Sequence, residues 1–503
     1  MSAGFSLRKP TVVSICLFAI SGMSMLTSLE APSITIASYM IGIIATTYMI
    51  FSELRVVSTI NAFGILAINM AAGYVAGPSF MIGYQLIHGS PWPISFLQTS
   101  SGAQDNYIIG SIFGILSAIT LLIANDLFRF SLFMRRMDDK KKCHNFIGFL
   151  LLLFYALIII AFTRGDIGYM GVQHGQGSSR ISPLGAIAGL VLLAMPSLLV
   201  VYYSNSPRQR RDLVIFSILI MVTIIAITIT GRRYLIFSVL AAIFFIAYFL
   251  PGWITTRAFS SFKKAWLVRK KAIKVILSGI LLFWIILYAM HLFYNIRLAA
   301  YVIGPNHSAL ALTEYAMTHE DQSGRQGSNY VASSAQRAGT LPAYLGDLIH
   351  THGEFKLGEC ISSAVVEAVP RLLFQDKNGF ISDRPCSDYK INAERGLSLV
   401  DSPVTLLTYG YIDFGFFGLF FYPILIALLY SAISAFTKNL GSYIVRIWIT
   451  ASSFVTLLYA EQSLSYYFSQ ARNILIVAML IFFIEFFFSS LRRRVPISKT
   501  KSE

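Results

Sequence analysis

The sequence predicts an all-α, polytopic integral membrane protein. It has about twelve transmembrane helices and one long outer loop of short interfacial helices, with both termini cytoplasmic. Three observations predict it. Hydrophobic residues make up 55% of the 503 and charged residues only 13%, a composition far from the soluble mixture and suited to repeated spans. Apolar windows of about 20 residues, the length that crosses a bilayer, recur along the chain. The net charge of +16 is spread over short runs between those windows, as insertion topology requires. No basic face of the kind that binds nucleic acid is formed, so a nucleic-acid partner is not expected.

The first apolar run, Thr11 to Leu29, lacks a small-residue cleavage site and is followed at once by a second. It is read as a retained first helix, not as a signal peptide. Helices are placed near residues 11–29, 33–52, 56–76, 106–126, 146–163, 183–203, 213–230, 234–250, 273–294, 415–436, 443–460 and 470–489. The organisation is then residues 1–294 with helices one to nine, a loop over 295–414, helices ten to twelve over 415–491, and a basic cytoplasmic tail over 492–503. With the N-terminus in the cytoplasm, 26 of the 40 Lys and Arg fall on the cytoplasmic side, and nine of the remaining 14 lie in the long loop. A loop of that length escapes the positive-inside bias, so the count supports the orientation. Within the loop, ALALTEYAMTH and SSAVVEAVPRLLF read as short amphipathic helices at the interface. Pro370 ends the second and fixes the approach of Arg371.

This orientation puts Arg232 and Arg233, the pair in TGRRY, on the outer face, where short turns should be poor in arginine. The pair serves either as interfacial anchors snorkelling to lipid phosphate or as an anion site, since guanidinium matches phosphate oxygens in a bidentate way and stays charged. Arg164, Arg180, Arg297, Arg325, Arg337, Arg371, Arg384, Arg395 and Arg472 share that face. A lipid pyrophosphate fits it: the tail stays in the bilayer, the phosphates sit at headgroup depth, and an attached glycan projects under the loop.

Other chemistries find less support. CxxC, HExxH and GxxxxGK[ST] do not occur, so no metal or nucleotide cofactor is expected. HTHGE, with His350, His352 and Glu354, is the densest patch of possible metal ligands or acid/base groups; one short loop is weak evidence for a metal, and the alternative is a solvated loop. Carboxylates are scarce within the spans apart from Glu485, which counts against a cation-coupled transporter. Cys360 and Cys386 share the long loop; they form a disulfide there or stay as two thiols, since sequence does not supply their separation.

Three stretches resemble a known family. EAVPRLLFQDKNGF, residues 367–380, resembles the loop signature of the oligosaccharide repeat-unit polymerases, the Wzy-like O-antigen and capsule polymerases. LLTYGYIDFGFFGLFFYPIL, residues 406–425, resembles the family's helix entry after that loop, with Tyr411, Phe414, Gly415 and Gly418 in a Tyr-x-x-Phe-Gly-x-x-Gly pattern. TGRRYLIF resembles its Gly-Arg run. Asn378 stands where the family often has proline, and no second long outer loop is found.

The resemblance implies a metal-independent membrane glycosyltransferase of lipopolysaccharide or similar surface-polysaccharide biosynthesis. It would sit in the bacterial inner (plasma) membrane with its active site facing the periplasm. It would transfer a glycan from undecaprenyl pyrophosphate to an incoming lipid-linked repeat unit, with a chain-length-regulating copolymerase as a possible partner. Arg232, Arg233 and Arg371 are expected to stabilise the departing pyrophosphate, with Arg164, Arg297 and Arg395 as further pyrophosphate-binding residues. His350, His352, Glu354 or Asp166 is expected to take the acceptor's proton. An O-antigen ligase acting on a lipid A core, or a lipid-linked glycan flippase or exporter, stays open as an alternative.

Overall fold

The computed structural model describes residues 7–29, 34–55, 57–79, 103–128, 132, 140–164, 166, 183–206, 209–230, 232–250, 311, 314–315, 318, 340–351, 353–370, 386, 390–391, 394, 405–438, 442–459 and 462–494. No strand occurs among them. The expected helix at 273–294 lies outside this set.

The chain begins with an antiparallel pair, α1 (Lys9–Ser28) and α2 (Thr35–Arg55). Next come α3 (Ala62–Ser79), α4 (Ala103–Leu127), α5 (Lys140–Thr163), α6 (Pro183–Ser204), α7 (Gln209–Thr230) and α8 (Arg232–Phe249). Within the long loop lie α9 (340–350) and α10 (Glu359–Ala368). The chain ends in α11 (Leu406–Phe414), α12 (Gly418–Lys438), α13 (Tyr443–Leu458) and α14 (Leu464–Arg494). Among the described residues, eight helices are long and apolar enough to cross a membrane, and α8 and α13 supply shorter apolar stretches.

The core forms where apolar sequence goes all round the helix. In α3 and α6 most residues are buried, as expected for helices without a polar face, and in α13 all but Arg446 are, including the polar Thr450, Ser452, Ser453 and Thr456. α13 packs against both of the others. The surrounding helices expose large apolar side chains outward, among them Met23, Phe51, Leu152 and Ile218, a surface that suits lipid and not water. Pro196 and Pro423 are accommodated inside α6 and α12.

Polar residues tie helix ends together at the end of the bundle where α1 starts. Arg8 binds Glu53 of α2 through Nη2 at 2.8 Å and Asp126 of α4 through its backbone N–H at 2.8 Å and through Nε. His144 of α5 donates from Nδ1 to the Tyr202 carbonyl of α6 at 3.1 Å and stacks on the Tyr202 ring at 4.2 Å. Its Nε2 lies 3.9 Å from Asp212 of α7. Ser442, which caps α13, donates to Glu485 of α14. These contacts join chain segments that the positive-inside count assigns to the cytoplasm. The expected scarcity of carboxylates needs correction: besides Glu485, the spans hold Glu53, because α2 runs to Arg55 past the expected end at 52, as well as Asp126 near the end of α4 and the buried Asp413 of α11.

Two further differences concern the end of the long loop. The expected helix at 415–436 is preceded by α11, which lies inside the region read as loop and is buried from Leu406 to Asp413. Thr405 starts α11 with a capping box: its hydroxyl accepts from the Thr408 N–H, and its own N–H donates to the Thr408 hydroxyl at 2.6 Å. The Thr405 hydroxyl also meets that of Tyr74, which lies in a π-helical turn of α3 (Ala72–Ala76). Gly415, at φ +59°, then reverses the chain so that α11 folds against α12. The approach is so close that a Cβ on Gly418 would lie 1.7 Å from the Gly410 carbonyl oxygen. The glycines of the Tyr-x-x-Phe-Gly-x-x-Gly stretch thus make a helical hairpin in place of the expected simple helix entry.

Candidate functional site

Opposite the Arg8 end, the described parts of the long loop are fixed onto the bundle by three attachments. In the first, α9 lies along the start of α4 at backbone distance: Cβ atoms on Gly110 and Gly346 would come within 1.9 Å of the Pro342 oxygen and 2.1 Å of the Asn106 oxygen. Asn106 Nδ2 donates to the buried carboxylate of Asp347, whose other oxygen has no partner. Burial raises the Asp347 carboxyl to about 6, against an opposing pull from His350. The Tyr411 hydroxyl ties α11 to this helix by donating to the Ile349 carbonyl at 3.3 Å.

The second attachment holds the start of α10. Leu357 at φ +47° and Gly358 at φ +98° turn the chain, and Gly358 offers no capping side chain. Asp413 of α11 takes over that role. Its carboxylate accepts the N–H groups of Cys360 at 3.1 Å and Ile361 at 3.3 Å, and the Tyr422 hydroxyl also donates to it. A buried carboxylate there satisfies unpaired donors and complements the helix dipole. The backbone N–H groups of Lys356 and Leu357 donate to the carbonyls of Ile412 and Asp413, both at 3.0 Å. Cys360 and Cys386 are joined as a disulfide with Cα atoms 5.2 Å apart, which settles the alternative left open by the sequence. Asp413 lies close to both sulfurs, but the S–S bond removes them from any set of thiolate ligands.

The third attachment is the other end of α10. Arg472 of α14 donates from Nη1 to the Ala368 carbonyl at 2.8 Å and from Nε and Nη2 to the Asn473 side-chain oxygen at 3.2 and 3.0 Å. Val369 is extended ahead of Pro370, as the residue before a proline prefers to be. The chain therefore leaves α14 three residues before Arg371.

The expected site residues are placed as follows. Arg232 and Arg233 form the first residues of α8; their side chains lie outside the described residues. So do Arg371, His352, Arg297 and Arg395. His350 ends α9, exposed, with Nδ1 donating to the Gly346 carbonyl at 3.1 Å. Glu354 is exposed and lines a cavity of about 280 Å³ with Gly353, Lys356, Ile391, Glu394 and Ile412, across which Lys356 and Glu394 pair at 2.8 Å. Arg164 is 68% exposed and pairs with Asp166 at 3.4 Å. His350 and Glu354 are both exposed, while exposed Arg164 pairs with a largely covered Asp166.

Asp347 and Asp413 were not legible as site residues, and Arg472 was legible only as one of the arginines of the outer face. The sequence signal for two of them is a glycine neighbourhood, LGD and DFG, which marks close backbone approach without saying to what. Arg472 shows only as one arginine in an apolar run. Compared with models of known families, with curated proteins and with solved structures, the chain matches none.

Proposed function

We propose that this protein is a membrane glycosyltransferase that joins lipid-pyrophosphate-linked oligosaccharide repeat units into a surface polysaccharide. In this reading the end bearing α9 and α10 faces the periplasm of a bacterial inner membrane, and no metal takes part. One observation carries the proposal: the loop stretch before Arg371 is crosslinked within the loop by a disulfide, held on α11 by Asp413 and held on the last span by Arg472. Electrostatic stabilisation of a departing anion requires donors on fixed elements, and the attachments fix the loop up to Pro370.

In the reaction, the acceptor hydroxyl of the incoming repeat unit attacks the anomeric carbon of the growing glycan. A glycosidic bond forms, and the bond from that carbon to pyrophosphate breaks with its electron pair leaving on undecaprenyl pyrophosphate. Arg232, Arg233 and Arg371 are assigned to the charge that develops on the leaving group. The hydroxyl's proton passes to a base, for which His350, His352, Glu354 and Asp166 are the candidates.

The test is a glycan gel of the native host with the gene deleted, and of the deletion strain carrying Arg232→Ala, Arg233→Ala or Arg232→Lys at normal protein level. Loss of the polysaccharide ladder with retention of core bearing one repeat unit is expected for the deletion and both alanine variants. Strong impairment is expected for the lysine variant, because lysine cannot make the bidentate contact. A normal ladder in the deletion strain overturns the proposal, and loss of both ladder and single repeat replaces it with ligation or export.

A further inference from the structure

The helix α14 carries a cation where a membrane span should have none. Arg472 lies eight residues into the apolar stretch Leu464–Phe488, about 12 Å along the axis. Thirteen further residues separate it from Glu485, which Ser442 binds at the opposite end of the bundle; that is about 20 Å. Against a hydrocarbon core of about 30 Å, this places Arg472 within the outer half of the span when α14 crosses a bilayer. A charge at such depth is costly and is kept where it has a partner or a ligand.

Protein groups satisfy only part of it. Of the five N–H groups of the guanidinium, Nε and one on Nη2 go to Asn473, and one on Nη1 goes to the Ala368 carbonyl. One N–H on each Nη nitrogen is left, the pair that forms a two-pronged contact with phosphate or carboxylate oxygens. No carboxylate lies within ion-pairing distance of Arg472 among the described residues. Holding Ala368 does not explain the charge, since a neutral amide can donate to that carbonyl. The neighbouring Asn473, 3% exposed, has a buried Nδ2 donor without a partner. A buried donor in this state can be completed by an acceptor from outside the chain.

We propose that Arg472, with Asn473, holds the phosphate head of a lipid whose chains lie in the bilayer beside α14. As a site for the pyrophosphate-linked carrier, this rests on the glycosyl-transfer reading; as a site for a lipid phosphate, it does not. The depth selects the lipid-borne form over free phosphate, because a hydrated anion must shed its water to reach an apolar span while a lipid head is delivered along it.

The test uses the purified full-length protein in lipid nanodiscs of phosphatidylcholine, titrated with farnesyl pyrophosphate, with farnesol and with inorganic pyrophosphate. Arg472→Gln keeps an N–H for Ala368 and removes the charge. Arg472→Lys keeps the charge and removes the fork, and covers the case in which the glutamine variant fails to fold. Farnesyl pyrophosphate is expected to bind the wild type at least tenfold more tightly than Arg472→Gln and several-fold more tightly than Arg472→Lys, with farnesol and inorganic pyrophosphate binding weakly to all three. A diazirine derivative of farnesyl pyrophosphate should crosslink to the peptide containing Arg472. Equal affinity of wild type and both variants overturns the proposal and leaves Arg472 as a cap for α10. Tight binding of inorganic pyrophosphate overturns the lipid part. The two readings fail separately: binding through Arg472 with an intact ladder in the deletion strain sinks polymerisation alone, whereas a lost ladder with unaltered binding by Arg472→Gln sinks this site alone.

Discussion

At the end of the bundle where α1 begins, Arg8 is enclosed by two buried carboxylates, and the three helices that supply these groups are fastened to one another. At the opposite end, Arg472 meets a carbonyl and an amide. The ion pairs that do form there, Arg164–Asp166 and Lys356–Glu394, are exposed in part and contribute little to stability. The same cation is thus consumed by structure at one end and left with free donors at the other. A protein that needs arginine only as glue has no reason to separate it from carboxylates. The separation makes functional sense when an anion arrives from outside.

The largest expected effect breaks the comparison at the Arg8 end. Arg8→Ala strands the carboxylates of Glu53 and Asp126 in a buried place, a loss of about 3–5 kcal/mol, read as a fall in melting temperature in detergent. Adding Glu53→Gln and Asp126→Asn should recover most of it, because the uncompensated charges go with their partner. Arg472→Gln should leave the melting temperature close to wild type. If it destabilises as much as Arg8→Ala does, the two ends are alike and the contrast is lost.

The next effect is confined to the opposite end. Cys360→Ser opens a crosslink between residues 26 apart in sequence, worth about 3–4 kcal/mol in chain entropy. Hydrogen exchange is expected to quicken across α10 while the helix ends held by Arg8 and His144 keep their protection. Asp413→Asn should act in the same place and direction, since the N–H groups of Cys360 and Ile361 lose a charged acceptor. Faster exchange throughout the bundle would show that the loop and the spans unfold together.

The helices were legible in the sequence because apolar length is a one-dimensional signal: eleven of the twelve expected helices coincide with helical segments, the twelfth falls outside the described residues, and among the described residues eight helices are long and apolar enough to cross a membrane. What escaped depends on contacts between distant positions. Nothing in LLTYGYIDF distinguishes a buried helix from the end of a loop until Gly410 is seen against Gly418, and Asp413 looks like one more loop carboxylate until the bare start of α10 appears beside it. The arginine-rich end was visible as composition. Which arginines keep free donors was not, because that is decided by partners up to 104 residues away, as between Ala368 and Arg472.

The smallest effect sharpens the comparison through its carboxylates. Glu53 and Asp126 face a cation, but Asp347 faces the neutral amide of Asn106, so its charge is opposed by burial with only His350 to offset it. A carboxyl raised from 3.8 to about 6 in the fold binds its proton more tightly folded than unfolded. Its contribution to stability is therefore complete below about pH 4 and is lost as pH rises through about 6. The full shift corresponds to at most about 3 kcal/mol, and less in practice because α9 ends in solvent at His350. Hydrogen exchange in α9 should accordingly be slower at pH 5 than at pH 7.5, after correction for the intrinsic rate. Asp347→Asn should hold the slow value at both, since the amide carries no charge to bury. A wild-type α9 equally protected at both pH values would mean that the buried carboxylate oxygen has found a donor, and the opposite end would then satisfy its charges as fully as the Arg8 end does.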